Sequence, residues 1–233
     1  MNKKDGFYID QEHQSMLRKH RVLIIITSLI TLLPILVGIL CWNRLPDTIA
    51  THFASDGTPN GFSSKTFTVL GIPAFIFAAH ILCAFCTAID PKHKNISPKM
   101  YRLILLICPI CSIVCGAAIY GYALSLSMAD WLNSTFFMNL LMGIIFFLIG
   151  NYLPKCHQNY TVGIKLPWTL ADEGNWTLTH RFAGRLYAIA GILCIVNAFL
   201  RLKWVLPAVL AAILFLPAVY SLSIYLRSRK DAE

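Results

Sequence analysis

The sequence predicts an all-α polytopic membrane protein, a bundle of six transmembrane helices with both termini in the cytoplasm. Of its 233 residues, 57% are hydrophobic and only 13% are charged, whereas charged residues make up about 25% of an ordinary soluble domain. Six apolar stretches are long enough to cross a hydrocarbon core as a helix, which takes about 20 residues. Little of the chain remains for a soluble domain.

The spans are delimited by polar segments and by turn residues. They cover 22–42, 67–89, 103–125, 135–153, 182–200 and 205–226. We expect the first span to stay in the mature protein, because it follows a polar head and is too long for a signal-peptide core. The predicted organisation begins with a head, 1–21, and the first two spans, 22–89, which include an outer helix-turn loop, 43–66. Spans three and four occupy 90–153. The segment 154–226 contains an inner loop, 154–182, and spans five and six, and the chain ends with a tail, 227–233.

Lysine and arginine are distributed by loop, and this distribution predicts the orientation. Sixteen of them lie in the head, the second loop, the fourth loop and the tail, whereas the alternate loops hold four: Arg44, Lys65, Arg201 and Lys203. Because loops rich in Lys and Arg stay in the cytoplasm, both termini are predicted to be cytoplasmic. The net charge of +9 is therefore interpreted as a topological signal, and no direct binding of nucleic acid is expected.

The sequence contains none of the common catalytic patterns. The motifs of metalloproteases, serine hydrolases, phosphate-binding loops and dinucleotide-binding turns are absent. Seven of the eight cysteines lie in the spans, and Cys156 alone lies in a loop. The Cys-x-x-Cys pairs at Cys83 and Cys108 have the spacing of metal sites, but without flanking His or Asp they are better interpreted as packing residues. We expect no catalytic residue, no metal and no cofactor.

Few polar groups lie inside the spans, and each has a packing interpretation. His80, near the middle of the second span, is read as a neutral ring bonded to a neighbouring helix, with a proton or metal role as the less favoured alternative. Asn139 and Asn197 are read as interhelical hydrogen-bonding groups. Small residues such as Gly184 in the fifth span and Gly143 in the fourth predict a close helix contact.

The outer loop, 43–66, is predicted to form a short helix followed by turns. Pro46 suits an early helical position, and His52 and Phe53 would end the helix at the membrane surface. The sequences Asp56-Gly57 and "PNG" supply two turns. His52 and Asp56 offer two metal ligands at helical spacing, but no third ligand is visible, so a metal site is not predicted.

The inner loop, 154–182, is predicted to be an ordered hairpin rather than a linker. Pro167 moves the residue before it away from helical geometry, and Thr169 with Asp172 resembles a helix-capping box. From Trp176 onward the pattern is helical, with His180 on the same face one turn later.

The two tryptophans of the inner loop have two interpretations. Trp168 and Trp176 can be interfacial anchors of an aromatic belt, which is how Trp42, Trp131 and Trp204 are interpreted. A belt does not require Gly, Lys, Pro and Thr between its aromatic residues. Recognition of a partner is therefore favoured over anchoring.

At these residues the sequence resembles the SdpI family, the membrane immunity proteins for a secreted sporulation-delaying peptide toxin. The family pattern is met by Gly150, Asn151, Asn159, Gly163, Ile164, Lys165, Pro167, Trp168, Thr169, Trp176, Thr179, His180, Arg181 and Gly184. The outer loop is similar to the small domain of unknown function that precedes this pattern in the family, through Pro46, His52, Phe53, Gly57, Pro59, Ser64 and Lys65.

The resemblance implies a bacterial cell-membrane protein that protects its host from a membrane-active peptide, which arrives from outside or within the bilayer. The residues expected to face this toxin are Pro46, His52, Phe53 and Gly57. In the founding system the resemblance also implies signalling, in which the immunity protein captures a cytoplasmic transcriptional repressor. The residues expected to bind such a partner are Asn159, Gly163, Lys165, Pro167, Trp168, Thr169, Trp176, His180 and Arg181.

Two other classes of function stay open on the sequence. A small membrane transporter or permease would use His80 and the prolines of the spans, but intramembrane carboxylates for ion coupling are missing. A membrane enzyme would use His157, His180 and the loop acids, without a nucleophile or a complete set of metal ligands. A binding scaffold is the favoured interpretation.

Overall fold

The computed structural model describes residues 17–54, 58–126 and 135–230. Six of the helices in this part are long and apolar enough to cross a membrane, so the predicted six-span helical fold is confirmed. The elements are α1 (Arg21–Leu40), β1 (Thr48–Phe53), β2 (Pro59–Ser64), α2 (Ile72–Ala88, entered through a π-helical turn, Phe67–Gly71), α3 (Pro98–Ala123), α4 (Thr135–Tyr152), α5 (Pro167–Ala171), α6 (Glu173–Leu200) and α7 (Val205–Lys230).

Three helices extend beyond the predicted spans, because hydropathy detects only their apolar part. α3 begins at Pro98, where the hydroxyl of Ser97 accepts a hydrogen bond from the N–H of Met100 (3.2 Å). α6 begins at Glu173, inside the predicted inner loop, and α7 continues to Lys230. The second part of the inner loop is therefore the first turns of α6.

The outer loop is a β-hairpin, so the predicted helix-turn fold of 43–66 is wrong. β1 and β2 pair antiparallel, with Thr48 opposite Ser64. At the base of the hairpin the N–H of Lys65 donates to the carbonyl of Asp47 (2.8 Å), and the two side chains form an ion pair at 3.0 Å. Residues 55–57, which include the predicted turn at Asp56 and Gly57, lie outside the described residues.

Side-chain shape and packing explain why β1 is extended. Thr48, Ile49 and Thr51 are β-branched, which favours a strand. Ile49 is buried with Val69 and Tyr120 in a hydrophobic cluster at the outer ends of α2 and α3. The helix-start signal at Pro46 is therefore overridden by contacts with residues distant in the sequence.

The spanning helices form two groups. In the first, α1, α2 and α3 pack against one another, and in the second, α6 packs against α4 and α7. Within the described residues, no helix of the first group packs extensively against a helix of the second.

The second group is held by the contact between α4 and α6, as predicted. A Cβ atom on Gly150 would lie 2.7 Å from the carbonyl oxygen of Gly184, so only glycine allows the two backbones to approach this closely. Asn197 on α6 donates from Nδ2 to Oδ1 of Asn139 on α4 (2.9 Å). The prediction that these two asparagines join helices is confirmed.

The first group contains a buried polar seam. His80 on α2 is fully buried, and its Nε2 lies 3.0 Å from Oγ1 of Thr27 on α1. One turn along α1, the carbonyl of Thr31 accepts a hydrogen bond from the hydroxyl of Ser112 on α3 (2.7 Å). The predicted bond between His80 and a neighbouring helix is confirmed.

Candidate functional site: the inner loop

The inner loop owes its shape to side chains that bond to the backbone. Between the 3₁₀ turn Leu153–Lys155 and α5 it has no regular secondary structure. The buried side chain of Asn159 accepts hydrogen bonds from the N–H groups of Thr161 (2.9 Å) and Val162 (2.7 Å) and donates to the carbonyl of His157 (2.8 Å). This turn reverses the chain so that the next residues reach α6.

Gly163 is one of the points at which the loop touches α6. Its φ is +126°, a conformation open to glycine and strained for other residues. A Cβ atom here would overlap Nε2 of His180 and would lie 2.8 Å from the Trp176 ring. Glycine at this position thus lets the backbone rest against the two aromatic rings.

The rings of Trp176 and His180 are stacked, with centroids 4.0 Å apart. The N–H of Ile164 donates to Nε2 of His180 (3.0 Å), and Nδ1 of His180 lies 2.7 Å from the carbonyl of Trp176. A carbonyl can only accept, so Nδ1 carries the proton and Nε2 is the acceptor. His180 is therefore neutral in this arrangement.

Trp176 is 1% exposed, and its indole N–H donates to the carbonyl of Cys156 (2.8 Å). The expectation that Trp176 offers a surface to a partner is therefore wrong. Asn159, Thr169 and His180 are buried as well. These four predicted binding residues lie inside the loop and shape it.

The predicted capping box at Thr169 and Asp172 is also wrong, because each residue serves a different helix. The hydroxyl of Thr169 accepts from the N–H of Leu166 (2.9 Å) and lies 2.8 Å from the carbonyl of Ile164. It therefore fixes the entry to the short helix α5. Asp172 caps α6, since its carboxylate accepts from the N–H of Gly174 (2.7 Å).

A polar network attaches the loop to α7. The indole N–H of Trp168 donates to the hydroxyl of Ser221 (2.6 Å), and this hydroxyl donates to Oδ1 of Asn175 (3.1 Å). Asn175 also donates to the carbonyl of Ser221 (3.0 Å) and accepts from the hydroxyl of Thr179 (2.9 Å). Asn175 and Ser221 were not among the predicted site residues; the available signal was the presence of two serines, Ser221 and Ser223, in an apolar span.

The remaining predicted residues form the surface of the loop. Lys165, Pro167 and Arg181 are exposed, and Trp168 and Gly163 are partly exposed. Trp168 stacks on Tyr225 with ring centroids 5.9 Å apart, and the guanidinium of Arg229 lies 5.9 Å from the Tyr225 ring. The accessible face of the loop is thus basic and aromatic.

Cys156 lies under this surface and is inert by burial. Its side chain is 9% exposed. Burial raises the pKa of the Cys156 thiol to about 11, because the apolar surroundings disfavour the thiolate.

Of the four predicted outer residues, His52 and Phe53 lie on β1 and Pro46 lies just before it. Pro46 and His52 are exposed, and Nδ1 of His52 lies 2.5 Å from Oδ1 of Asn60 on the facing strand. Phe53 packs edge-on against Tyr122 of α3, with centroids 5.1 Å apart. Gly57 lies outside the described residues. α3 has 26 residues, a length of about 39 Å, and it runs from the hairpin to the side that bears the inner loop. The structure therefore does not bring the predicted outer residues and the predicted inner-loop residues together.

Comparison with known proteins agrees with this division. Residues 155–221 match the sequence model of the SdpI/YfhL protein family, and residues 29–77 match a domain of unknown function, DUF1648. The chain is 24% identical over 201 residues to the immunity protein SdpI of Bacillus subtilis (strain 168), which covers 86% of this chain and 93% of the relative. No solved structure shows significant similarity.

The resemblance to the SdpI family that the sequence indicates is thereby confirmed. The family segment contains all nine residues predicted for the inner loop, and the DUF1648 segment contains the four predicted outer residues. The relationship supports a multi-pass membrane protein of the immunity type.

Proposed function

We propose that this protein protects a bacterial cell from a secreted, membrane-active peptide toxin, and that it acts by binding rather than by catalysis. The observation that carries the proposal is the similarity to an immunity protein over 86% of the chain. The similarity includes both the outer hairpin and the inner loop, so it is not limited to the apolar spans, which resemble one another in many membrane proteins.

The orientation follows from charge. Six spans return the chain to the side on which it began, so both termini and the inner loop share one face of the membrane. Sixteen of the twenty Lys and Arg residues lie on that face in the six-span arrangement. We therefore assign the face to the cytoplasm, and the hairpin to the outer side.

The hairpin is the part of the protein that a peptide arriving from outside meets first. Pro46 and His52 are exposed there, and Phe62 on β2 is 59% exposed. We assign toxin contact to this surface, with Phe53 linking it to α3, and we include Gly57 in the set on the sequence alone. An exposed aromatic residue beside polar groups suits an amphipathic peptide.

The inner loop is the surface for a cytoplasmic partner, such as a transcriptional repressor. Its accessible residues are Lys165, Pro167, Trp168 and Arg181, with Tyr225 and Arg229 beside them. A basic face with aromatic residues complements a partner that presents acidic and apolar side chains. The buried residues Asn159, Thr169, Trp176 and His180 support this surface from within.

Expression in a toxin-sensitive Bacillus strain tests the function. We expect the full chain to raise survival in the presence of the sporulation-delaying peptide, compared with an empty vector. A fluorescent form of the same peptide should stay with the membranes of the protected cells. Survival equal to that of the empty vector would refute immunity to this peptide class, and survival with depletion of the peptide from the membranes would support a transporter instead.

A further inference from the structure

The two groups of spanning helices are joined, on the side of the inner loop, by a polar cluster. We call this cluster the clamp. It consists of Asp90, Lys92 and Asn95 in the connection between α2 and α3, and of Gln158, Tyr160 and Thr161 in the inner loop.

Asp90 lies at the centre of the clamp and is 3% exposed. Its carboxylate accepts hydrogen bonds from the N–H of Lys92 (2.8 Å) in its own connection. It also accepts from the N–H of Tyr160 (2.8 Å) and the hydroxyl of Thr161 (2.6 Å) in the inner loop. Hydrogen bonds to an ionised carboxylate are stronger than those between neutral groups, so Asp90 holds both segments.

Gln158 extends the clamp into the inner loop. The side-chain oxygen of Gln158 accepts a hydrogen bond from the ammonium of Lys92. The backbone carbonyl of Gln158 accepts one from Nδ2 of Asn95 (2.6 Å). Its Nε2 lies 2.9 Å from each of the carbonyls of Thr169 and Leu170 in α5. The buried Gln158 side chain therefore connects the α2–α3 connection to the helix that carries Trp168.

α3 joins the clamp to the outer hairpin. Near its inner end, Tyr101 is fully buried with Ile96 and Ala84 in a hydrophobic cluster, and its hydroxyl donates to the carbonyl of Ala84 (3.3 Å). Near its outer end, Tyr122 contacts Phe53. α3 is one helix from Pro98 to Ala123, with Pro109 inside it, and it packs against α1 and α2. Its two ends therefore belong to one packed element.

We propose that Asp90 is a positioning residue that couples the inner loop to the first group of helices, so that a displacement of α3 at the hairpin moves the loop. The use of this coupling, to report an outer peptide to a cytoplasmic partner, rests on the proposed function. The coupling itself does not, since it concerns contacts within the protein.

Cys156 provides a measurement of the loop position. In a variant that retains Cys156 and has the other seven cysteines replaced by Ala, maleimide labelling of the detergent-solubilised protein follows exposure of the loop. We expect Asp90→Asn to speed this labelling by about tenfold, because the substitution weakens the three hydrogen bonds that the carboxylate accepts. Glu173→Gln is the matched control, since it removes an exposed carboxylate of the inner loop that is not part of the clamp, and we expect it to leave the rate unchanged.

A double-mutant cycle separates coupling from simple loosening of the fold. With Asp90 present, Phe53→Ala should change the labelling rate of Cys156. In the Asp90→Asn protein, the same Phe53→Ala substitution should have no further effect on that rate. Thr161→Val removes one bond of the clamp and keeps the carboxylate, so it repeats the test if Asp90→Asn folds poorly. Additive effects of the two substitutions, or no effect of Phe53→Ala on Cys156, would overturn the proposal.

The double-mutant cycle tests the coupling independently of the proposed immunity function. Loss of toxin resistance with an intact double-mutant coupling would contradict the proposed function alone. Intact resistance with additive labelling effects would contradict the coupling alone.

Discussion

Ile164 donates its backbone N–H to Nε2 of His180 at 3.0 Å, and this bond fixes a buried imidazole in one neutral form. The other ring nitrogen donates to the carbonyl of Trp176, so both nitrogens of His180 are used. A second proton on the ring would leave the N–H of Ile164 without its acceptor. The histidine of the Thr-His-Arg sequence is therefore a structural support for the loop.

We expect Gly163→Ala to open the inner loop. The φ of +126° is strained for alanine by about 1–3 kcal/mol, and the added methyl group would overlap His180 and Trp176. Faster maleimide labelling of Cys156 and a lower midpoint of thermal unfolding in detergent should result. Gly174→Ala is the control, because its Cβ atom would meet only the exposed side chain of Asp172, at 3.1 Å. Equal behaviour of the two variants would contradict the role given to Gly163.

The reactivity of Cys156 should depend strongly on pH. Because burial raises the pKa of its thiol from 9.0 to about 11, folding disfavours the thiolate. The stabilising effect of the neutral thiol is therefore present below pH 9 and lost as the pH rises through about 11. At pH 8 we expect labelling of the folded protein to be about 100-fold slower than that of the denatured chain. Rates measured from pH 8 to 10 check this, and identical profiles in the two states would refute it.

The proposed orientation predicts opposite labelling of two introduced cysteines. In a cysteine-free protein, Ser64→Cys on β2 should react with an impermeant thiol reagent in whole cells. Thr177→Cys, exposed in the first turns of α6, should react only after permeabilisation. The reverse pattern would place the termini outside.

The span cysteines should be replaceable. Among the described residues, Cys83, Cys86, Cys111 and Cys115 are exposed on the surfaces of the spanning helices. Cys41 and Cys108 are partly exposed and Cys194 is buried, but cysteine is a small packing residue in each case. Ala or Ser at all seven span cysteines should therefore leave toxin resistance largely intact at equal protein levels. Loss of resistance together with loss of a stoichiometric metal would support a metal site instead.

The sequence was sufficient for features that depend on neighbouring residues in the chain. The six spans follow from local hydropathy. Polar or small residues inside an apolar helix mostly serve contacts with other helices, and for this reason Asn139 and Gly184 were interpreted correctly. The hairpin was missed because the signal at Pro46 is local, whereas the pairing of Thr48 with Ser64 joins residues distant in the sequence.

The buried parts of the candidate site were missed for the same reason. Thr161 is 71 residues from Asp90, and Ser221 is 46 residues from Asn175. A tryptophan in a polar loop suggests an exposed residue, yet Trp176 finds its acceptor 20 residues away, at Cys156, and is buried. The sequence predicted an ordered loop but could not separate the interior of the loop from its surface.

If the proposed function is correct, substitutions in the inner loop and in the outer hairpin should affect different activities in cells. Trp168→Ala or Lys165→Glu should abolish co-fractionation of the partner repressor with membranes and leave toxin resistance. Loss of an aromatic anchor at an interface commonly costs at least about 2 kcal/mol, which is more than tenfold in affinity.

The outer variant, His52→Ala with Phe53→Ala, should weaken resistance, since it removes an exposed ring and the contact with Tyr122. Trp204→Ala is the matched control, because Trp204 is 66% exposed in the connection between α6 and α7 and belongs to neither predicted binding set. Resistance and repressor recruitment are measured side by side at equal protein levels. If Trp168→Ala and Lys165→Glu lose resistance as fully as the outer variant, the inner loop is part of the protective fold, and a separate signalling surface on it is refuted.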